Sequence, residues 1–373
     1  MIKRLPIIFL LLIFLGCSTS KKVSRVIDSE IQSEMDRLIN DDMPGLLVSV
    51  YSKDHGIDWS STSGVKDKEK KEPLRPAHTF RMASVTKTFV AATILRLWEQ
   101  GKLDLDHAIN KYISKEHVEI LKEGGHNPSI ITITQLLTHS AGLADHTHTS
   151  KYSPEILKSN YVWTRREQLQ TLAAFTKPIG KPGEKYTYSD TGYILLGEVI
   201  EFVTQKYLGD AIIEELALRK KGLKSIQMED RSGDFSKNRI HQYWEGIDTY
   251  SFNPTFDLYG GGGLLATTHD LSLFYHSLFE NQVFQKPSTL EKMLTSVKYT
   301  KQQSLDYRMG LWTTEISGME AYTHAGFWGT QVIYIPEIKT SICVNYSQIW
   351  TNRRNAPILE TIVGRLKERL KGK

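Results

Sequence analysis

Cysteine is nearly missing from this chain, with 2 in 373 residues. Cys17 closes an apolar N-terminal run, so Cys343 stands alone in Thr340-Ser-Ile-Cys-Val-Asn-Tyr346. A single thiol excludes an internal disulfide framework and reads as a small buried hydrophobe. A strong excess of one charge is missing too: 47 Lys and Arg against 42 Asp and Glu leave a formal net charge of +5. The densest basic stretch, Arg365 to Lys373, ends an amphipathic segment. Cations there face solvent and suit the negative end of a helix, so nucleic acid is not an expected partner. No repeat period or low-complexity tract is visible, and the apolar run Leu5 to Leu15 is too short to span a bilayer comfortably. Gly260 to Gly263 lacks the Lys-Ser/Thr ending of a phosphate loop and reads as a place where backbones approach closely. Asp145-His146-Thr-His148, with His139 nearby, has no spaced partner cluster and reads as solvent-facing histidines, not a metal site. No cofactor is implied. What is present is ordinary globular material, 40% hydrophobic and 24% charged, long enough for a large core in one domain or two interleaved lobes.

Helical apolar spacing runs through residues 23–39 on Val26, Ile27, Ile31, Met35, Leu38 and Ile39. Pro44-Gly45 then gives way to strand-like Leu46 to Tyr51 and Ile57 to Ser61. A helix is predicted from about Ser84 to Gln100, stopped by Gly101. The middle is helical and loop-rich, with helices predicted at 133–138, 164–175, 190–205, 210–221 and 268–279. Strand character returns at 307–316, 320–324, 330–335 and 341–346, before a closing helix at 355–370. Strands at both ends with helices between predict an α+β fold, one antiparallel sheet built from both termini with a mostly helical lobe inserted. The expected division is an α/β lobe of about 23–80 and 300–373 and a helical lobe of about 81–299, with a cleft at the seam.

Met1-Ile-Lys-Arg4, the apolar run and Gly16-Cys17-Ser18 resemble a bacterial lipoprotein signal. Leu15-Gly16-Cys17 matches the end of the lipobox, with Phe14 where an aliphatic residue is commoner. The resemblance implies a signal peptide over 1–16, lipidation of Cys17 and a tether over 17–22. The mature domain at 23–373 would then be an exported lipoprotein, anchored to a membrane and facing the periplasm or cell surface.

Ser84-Val-Thr-Lys87 opens the first predicted long helix, and its spacing puts the serine hydroxyl and the lysine amine on one face. Alone, Ser-x-x-Lys is common on solvated helix faces. Two further stretches join it in order: Tyr188-Ser-Asp190 after Pro182-Gly183-Glu184, and His324-Ala-Gly326 before a strand. With Gln135-Leu-Leu-Thr-His-Ser-Ala-Gly-Leu143, Asp190-Thr-Gly-Tyr-Ile-Leu-Leu-Gly197 and Gly260-Gly-Gly-Gly-Leu-Leu-Ala266, they resemble the serine β-lactamase and penicillin-binding protein superfamily. The likeness runs from roughly Met43 to the C-terminal helix and points to the branch of class C β-lactamases, DD-peptidases and related esterases.

That resemblance implies an acyl-enzyme at Ser84. A serine hydroxyl is a poor nucleophile until a base takes its proton, and Lys87 serves only when neutral. Bringing a lysine from about 10.4 to near 7 requires roughly 4–5 kcal/mol. Tyr188 either relays the proton or, as phenolate, is the base beside a cationic Lys87; the residues leave both open. The implied oxyanion hole is the amides of Ser84 and Phe327. His324 stands where many relatives have lysine and is expected to give a titratable donor to Tyr188 or to substrate. Gly326 completes that motif. Two departures bear on substrate. Asp190 replaces an asparagine that donates to an acyl-amide carbonyl; as a carboxylate it cannot donate, and near Lys87 it favours the ammonium. It also has the option of merely capping the helix it opens. Ala325 replaces a hydroxyl residue used against substrate carboxylates. The expected activity is therefore that of an esterase or a D-amino-acid peptidase or amidase on a small-molecule, peptide or ester substrate. D-alanyl-D-alanine carboxypeptidase or class C-like β-lactamase activity stands behind it. The non-enzyme alternative is an inactive penicillin-binding-like sensor or wall-binding lipoprotein. Tyr161, Trp163 and Phe327-Trp328 are candidate cleft walls.

Overall fold

The computed structural model describes residues 29–229, 238–299, 306–349 and 358–371. Cys17, its signal sequence and tether, and the first residues of both predicted terminal helices (23–28 and 355–357) lie outside the described residues. Helix α1 (29–38) leads into the hairpin β1 (Gly45–Ser52) and β2 (Ile57–Gly64). Strand β3 (Phe80–Arg81), a 3-10 turn at Ala83–Val85 and helix α2 (Thr86–Glu99) follow. The helical stretch holds α3 (Lys115–Glu123), α4 (Ile133–Leu137), α5 (Tyr152–Ile156), α6 (Arg165–Phe175), α7 (Asp190–Thr204) and α8 (Leu208–Glu215). Strands β4 (Gln227–Met228), β5 (Tyr243–Trp244), β6 (Ile247–Asp248) and β7 (Leu264–Ala266) lead to α9 (Thr268–Phe279) and α10 (Pro287–Met293). The chain closes with β8 (Trp312–Ile316), β9 (Met319–Gly326), β10 (Thr330–Ile335), β11 (Thr340–Asn345) and α11 (Ile358–Lys371).

The main sheet is antiparallel in the order β2-β1-β11-β10-β9-β8, so strands from both ends of the chain meet where β1 pairs β11. Period-two alternation decides which core each residue joins. Leu46, Val48 and Val50 face α1 and α11, packing with Ile31, Met35, Ile362 and Leu366. Leu47, Val332 and the free thiol Cys343 face the other way, into the core built around α2. Helix α9 lies across β1, β10 and β11 on that second face, although its residues fall in the stretch read as the helical lobe. Its polar side chains explain the docking: Ser49 Oγ and Thr268 Oγ1 are 2.7 Å apart, and Ser341 Oγ donates to the Ser272 carbonyl at 2.6 Å.

Helix α2 is apolar on nearly every side, buried from Thr86 to Leu95, and so runs through the centre of the molecule. Phe89 stacks on Phe274 of α9 with ring centroids 3.9 Å apart, joining the helical region to the sheet. The helix predicted over 210–221 stops at Glu215 because Ala217 turns left-handed, with φ +51°. Helix α3 was not anticipated. It is short, and its start is set by Ser114, whose hydroxyl accepts from the His117 amide at 3.2 Å.

Candidate active site

The backbone turns sharply just before Ser84. Ala83 has φ +48°, a region side-chain-bearing residues rarely adopt, and the 3-10 turn it opens precedes α2. No side chain caps α2 at Val85, so its first-turn amides and positive dipole end stay available beside the Ser84 hydroxyl. Gly326 makes the approach of β9 possible: a Cβ there would lie 2.2 Å from the Met82 carbonyl oxygen and 3.2 Å from the Ala83 Cβ. Phe327 is thereby set on the cavity wall alongside Ala83 and Ser84.

Lys87 is completely buried. Its Nζ donates to Ser84 Oγ at 3.0 Å and to the Gly261 carbonyl at 2.5 Å, and it pairs with Asp190 Oδ1 at 2.5 Å. Two hydrogen bonds and one ion pair thus converge on the amine. The Gly261 carbonyl was missed in the sequence, where the glycine run signalled only close approach. That approach is present: Gly260 has φ +120°, and a Cβ on it would lie 2.5 Å from the Tyr193 carbonyl oxygen.

Tyr188 is sandwiched between His139, at 4.2 Å between centroids, and the stacked ring of Trp312, at 5.7 Å. Burial first and the Asp190 charge second push its pKa well above 10, and Ser84, within reach of its hydroxyl, lowers it in part. Asp190 is the first residue of α7 and does not cap it; its amide donates to Asp145 Oδ2 at 3.1 Å and its carboxylate faces Lys87. Burial raises the Asp190 pKa, Lys87 opposes that rise, and Asp145 adds to it. Asp257, a third carboxylate in the cavity, is raised to about 7 by burial and then by Asp190. Asp257 was not singled out in the sequence, because it lies in no stretch that resembles the family, and Asp145 was weighed there only as part of a possible metal site.

Ser84, Tyr188 and Asp190 open onto a cavity of about 320 Å³. Its apolar wall is Tyr152, Ile156, Trp244, Phe256, Phe327 and Trp328; its charged lining is Asp145, Asp190 and Asp257, with His148 the one lining residue able to carry positive charge among those described. Trp163 and Tyr161 do not line it. Trp163 packs behind Tyr152 at 5.0 Å, and Tyr161 stands against Trp163.

Three expectations for histidines are corrected. His324 is fully buried, and its ring meets Tyr307 and not Tyr188. Its Nδ1 donates to the Ala325 carbonyl at 2.9 Å, leaving Nε2 to accept from the Tyr307 hydroxyl at 3.2 Å. Burial and then Lys87 lower its pKa to about 3, so it stays neutral and does not titrate near pH 7. His139 and His146 were read as solvent-facing, yet they are 3% and 1% exposed. His146 Nδ1 lies 2.9 Å from Thr191 Oγ1 of α7. Both belong to the packing around α7 and the Tyr188 segment, which a loop rich in polar residues does not announce.

Beneath the cavity, Arg81 of β3 forks onto Glu229 through Nε at 2.8 Å and Nη2 at 3.1 Å. It also donates to the carbonyls of Thr249 and Phe252 at 3.0 and 2.7 Å, while Arg239 Nε lies 3.4 Å from Glu229 Oε1. This buried ion cluster ties the strand before Ser84 to the segment leading to Phe256 and Asp257.

An antiparallel sheet covered on both faces, with Ser-x-x-Lys at the foot of a buried central helix, is the architecture of the β-lactamase-like serine hydrolases. Residues 27–357 match the Beta-lactamase family, and the chain belongs to it. Protein flp of Staphylococcus aureus (strain COL) is 25% identical over 257 residues, 65% of this chain and 48% of that protein, so the chain spans about half the length of that relative. The D-stereospecific amidohydrolase of a Streptomyces species superposes with TM-score 0.75 at 24% identity, covering 89% of this chain and 97% of that one. The D-amino acid amidase of Ochrobactrum anthropi SV3, solved with L-phenylalanine amide, superposes with TM-score 0.74 at 21% identity over 95% and 99% of the two chains. At these identities the structural likeness concerns the fold.

Proposed function

We propose that this chain is a serine hydrolase that forms an acyl-enzyme at Ser84 and prefers esters or amides of apolar amino acids whose amine is free. This is the chemistry of an esterase or a D-amino-acid amidase or peptidase. One observation carries the reading: Ser84, in reach of Lys87 and Tyr188, opens onto a cavity whose wall is aromatic and whose charges are carboxylates. The wall suits an apolar side chain, and Asp257 suits an ammonium next to the scissile carbonyl. Two of the fold relatives are, by name, hydrolases of D-amino-acid derivatives or D-stereospecific amidohydrolases, which supports the amide reading.

In the proposed sequence Asp190, its carboxyl pKa raised by burial, takes a proton from Lys87 across 2.5 Å and leaves the amine a lone pair for Ser84 Oγ at 3.0 Å. Ser84 attacks the carbonyl, and the amides of Ser84 and Phe327 receive the oxyanion. Tyr188, its pKa held well above 10, works as a neutral hydroxyl. The serine proton on Lys87 returns by way of Tyr188 to the leaving group, and water repeats the sequence in deacylation. The missing amide donor at Asp190 and missing hydroxyl at Ala325 argue against tight recognition of acylamido carboxylates such as penicillins. Lipid anchoring through Cys17 belongs to the same proposal and rests on Leu15-Gly16-Cys17.

The test compares an aryl ester and an aryl amide of D- and L-phenylalanine with their N-acetyl counterparts. A free-amine preference of roughly tenfold or more in kcat/KM, lost in Asp257→Asn, is expected. Preference for the N-acetyl compounds contradicts the reading.

A further inference from the structure

We propose that His139 is a positioning residue for Tyr188, fixing its hydroxyl at Ser84 by holding the main chain on both sides of it. The inference rests on the acyl-enzyme reading above, because it concerns the side chain that reading uses to move the serine proton. Two hydrogen bonds carry it. The Thr187 amide donates to the His139 carbonyl at 2.7 Å, and the Ser189 amide donates to His139 Nδ1 at 3.2 Å. Residues 187 and 189 flank Tyr188, so one residue clamps the backbone immediately before and after it. The His139 ring lies against the Tyr188 ring, with centroids 4.2 Å apart and planes inclined by 38°.

The clamp is specific to this residue's shape. His139 has φ +52°, a conformation that histidine and asparagine adopt more readily than most side-chain-bearing residues. The left-handed turn presents the carbonyl and the ring of one residue to the same neighbouring segment. Adjacent bonds extend the attachment: the Gly183 amide donates to the Ser140 carbonyl at 2.7 Å, and Ser189 Oγ donates to the Ala144 carbonyl at 2.7 Å. Because the Ser189 amide can only donate, Nδ1 must be the unprotonated nitrogen and Nε2 carries the hydrogen. That Nε2 has no hydrogen-bond partner among the described residues and sits among the rings of Tyr193 and Tyr307, at 5.0 and 4.6 Å between centroids. Burial, and then the nearby Lys87, keep the ring neutral, so the acceptor is not lost to protonation at working pH.

Asparagine is the informative replacement, since it tolerates the left-handed turn and offers an acceptor oxygen close to the place of Nδ1. Alanine removes the acceptor. Both changes are made in the natural chain and in a Tyr188→Phe background, and kcat and KM are read with a short-chain aryl ester. His139→Ala is expected to lower kcat by roughly fiftyfold or more with KM within about threefold, and His139→Asn to lower it by less than about fivefold. In the Tyr188→Phe background each change is expected to remove less than about twofold further, because the residue acts through the missing hydroxyl. Equal losses for alanine and asparagine, or undiminished losses without the tyrosine hydroxyl, overturn the assignment. Should His139→Ala not fold, His139→Asn still decides: near-natural kcat in the natural background supports the clamp, and a loss of similar size in both backgrounds refutes it. A failure of the underlying reading looks different, since Tyr188→Phe itself would then leave turnover unchanged.

Discussion

Replacing Asp257 by asparagine is expected to stabilise the protein at neutral pH while weakening it as a catalyst for amine-bearing substrates. The Asp257 carboxyl lies against Gly262, where a Cβ would stand 2.1 Å from Oδ2, and its pKa is raised from 3.8 to about 7 by burial and then by Asp190. The folded state therefore holds its proton more tightly than the unfolded state. The favourable contribution of the protonated acid is complete below about pH 4 and is lost as pH rises toward 7. At about 1.36 kcal/mol per pH unit the loss reaches roughly 4 kcal/mol above pH 7. Structural relaxation and water entry around a partly exposed group bring the expected figure to roughly 2–4 kcal/mol. Asparagine keeps the shape and the polar atoms without a titrating proton. The assay is urea unfolding of both proteins from pH 5 to pH 8. Asp257→Asn should gain on the natural protein as pH rises, with the gap largest at pH 8. A gap that is absent, or that does not change across this range, refutes the electrostatic assignment of Asp257.

Three further outcomes follow from the geometry. Asp190→Asn removes the carboxylate partner of Lys87 and restores an amide donor, so ester turnover should fall by roughly a hundredfold while penicillin acylation rises relative to it; an unchanged ratio of the two rates counts against the role given to Asp190. Glu229→Ala removes the carboxylate that the buried Arg81 and Arg239 share and should cost about 3–5 kcal/mol in denaturant unfolding, whereas a loss below about 1 kcal/mol would show the cluster to be dispensable. Gly326→Ala places a Cβ 2.2 Å from the Met82 carbonyl oxygen, and the forced separation of β9 from the serine turn should lower kcat by about a hundredfold in a protein that remains folded; full activity would mean this contact does not set the site.

Much of the fold was legible because local patterns and long-range pairing agree. The alternation in Leu46 to Tyr51 and in Ser341 to Tyr346 marks strands, and their placement near opposite ends of the chain already requires one sheet made from both. The helix expected at 268–279 appears with those bounds, but its place on the sheet was not readable, since serine and threonine docking sites carry no apolar stripe. At the site, Ser84, Lys87, Tyr188 and Asp190 are brought together from stretches that were readable as motifs. The Gly261 carbonyl, Asp257 and the clamp at His139 were not, because each depends on backbone conformation or on segments far apart in sequence. His324 shows the opposite error: a motif position suggested a polar donor, and burial made it a neutral ring inside the sheet.

The acyl-enzyme at Ser84 is the centre of the account, and intact mass tests it directly. Residues 21–373 would be mixed briefly with a short-chain aryl ester and, separately, with a penicillin, with Ser84→Ala as control. The account predicts an ester adduct of one acyl group that forms and clears quickly, slow or absent penicillin labelling, and no adduct with Ser84→Ala, whose turnover falls at least about a thousandfold. An adduct that survives Ser84→Ala, or ester turnover near the natural rate in that variant, contradicts it.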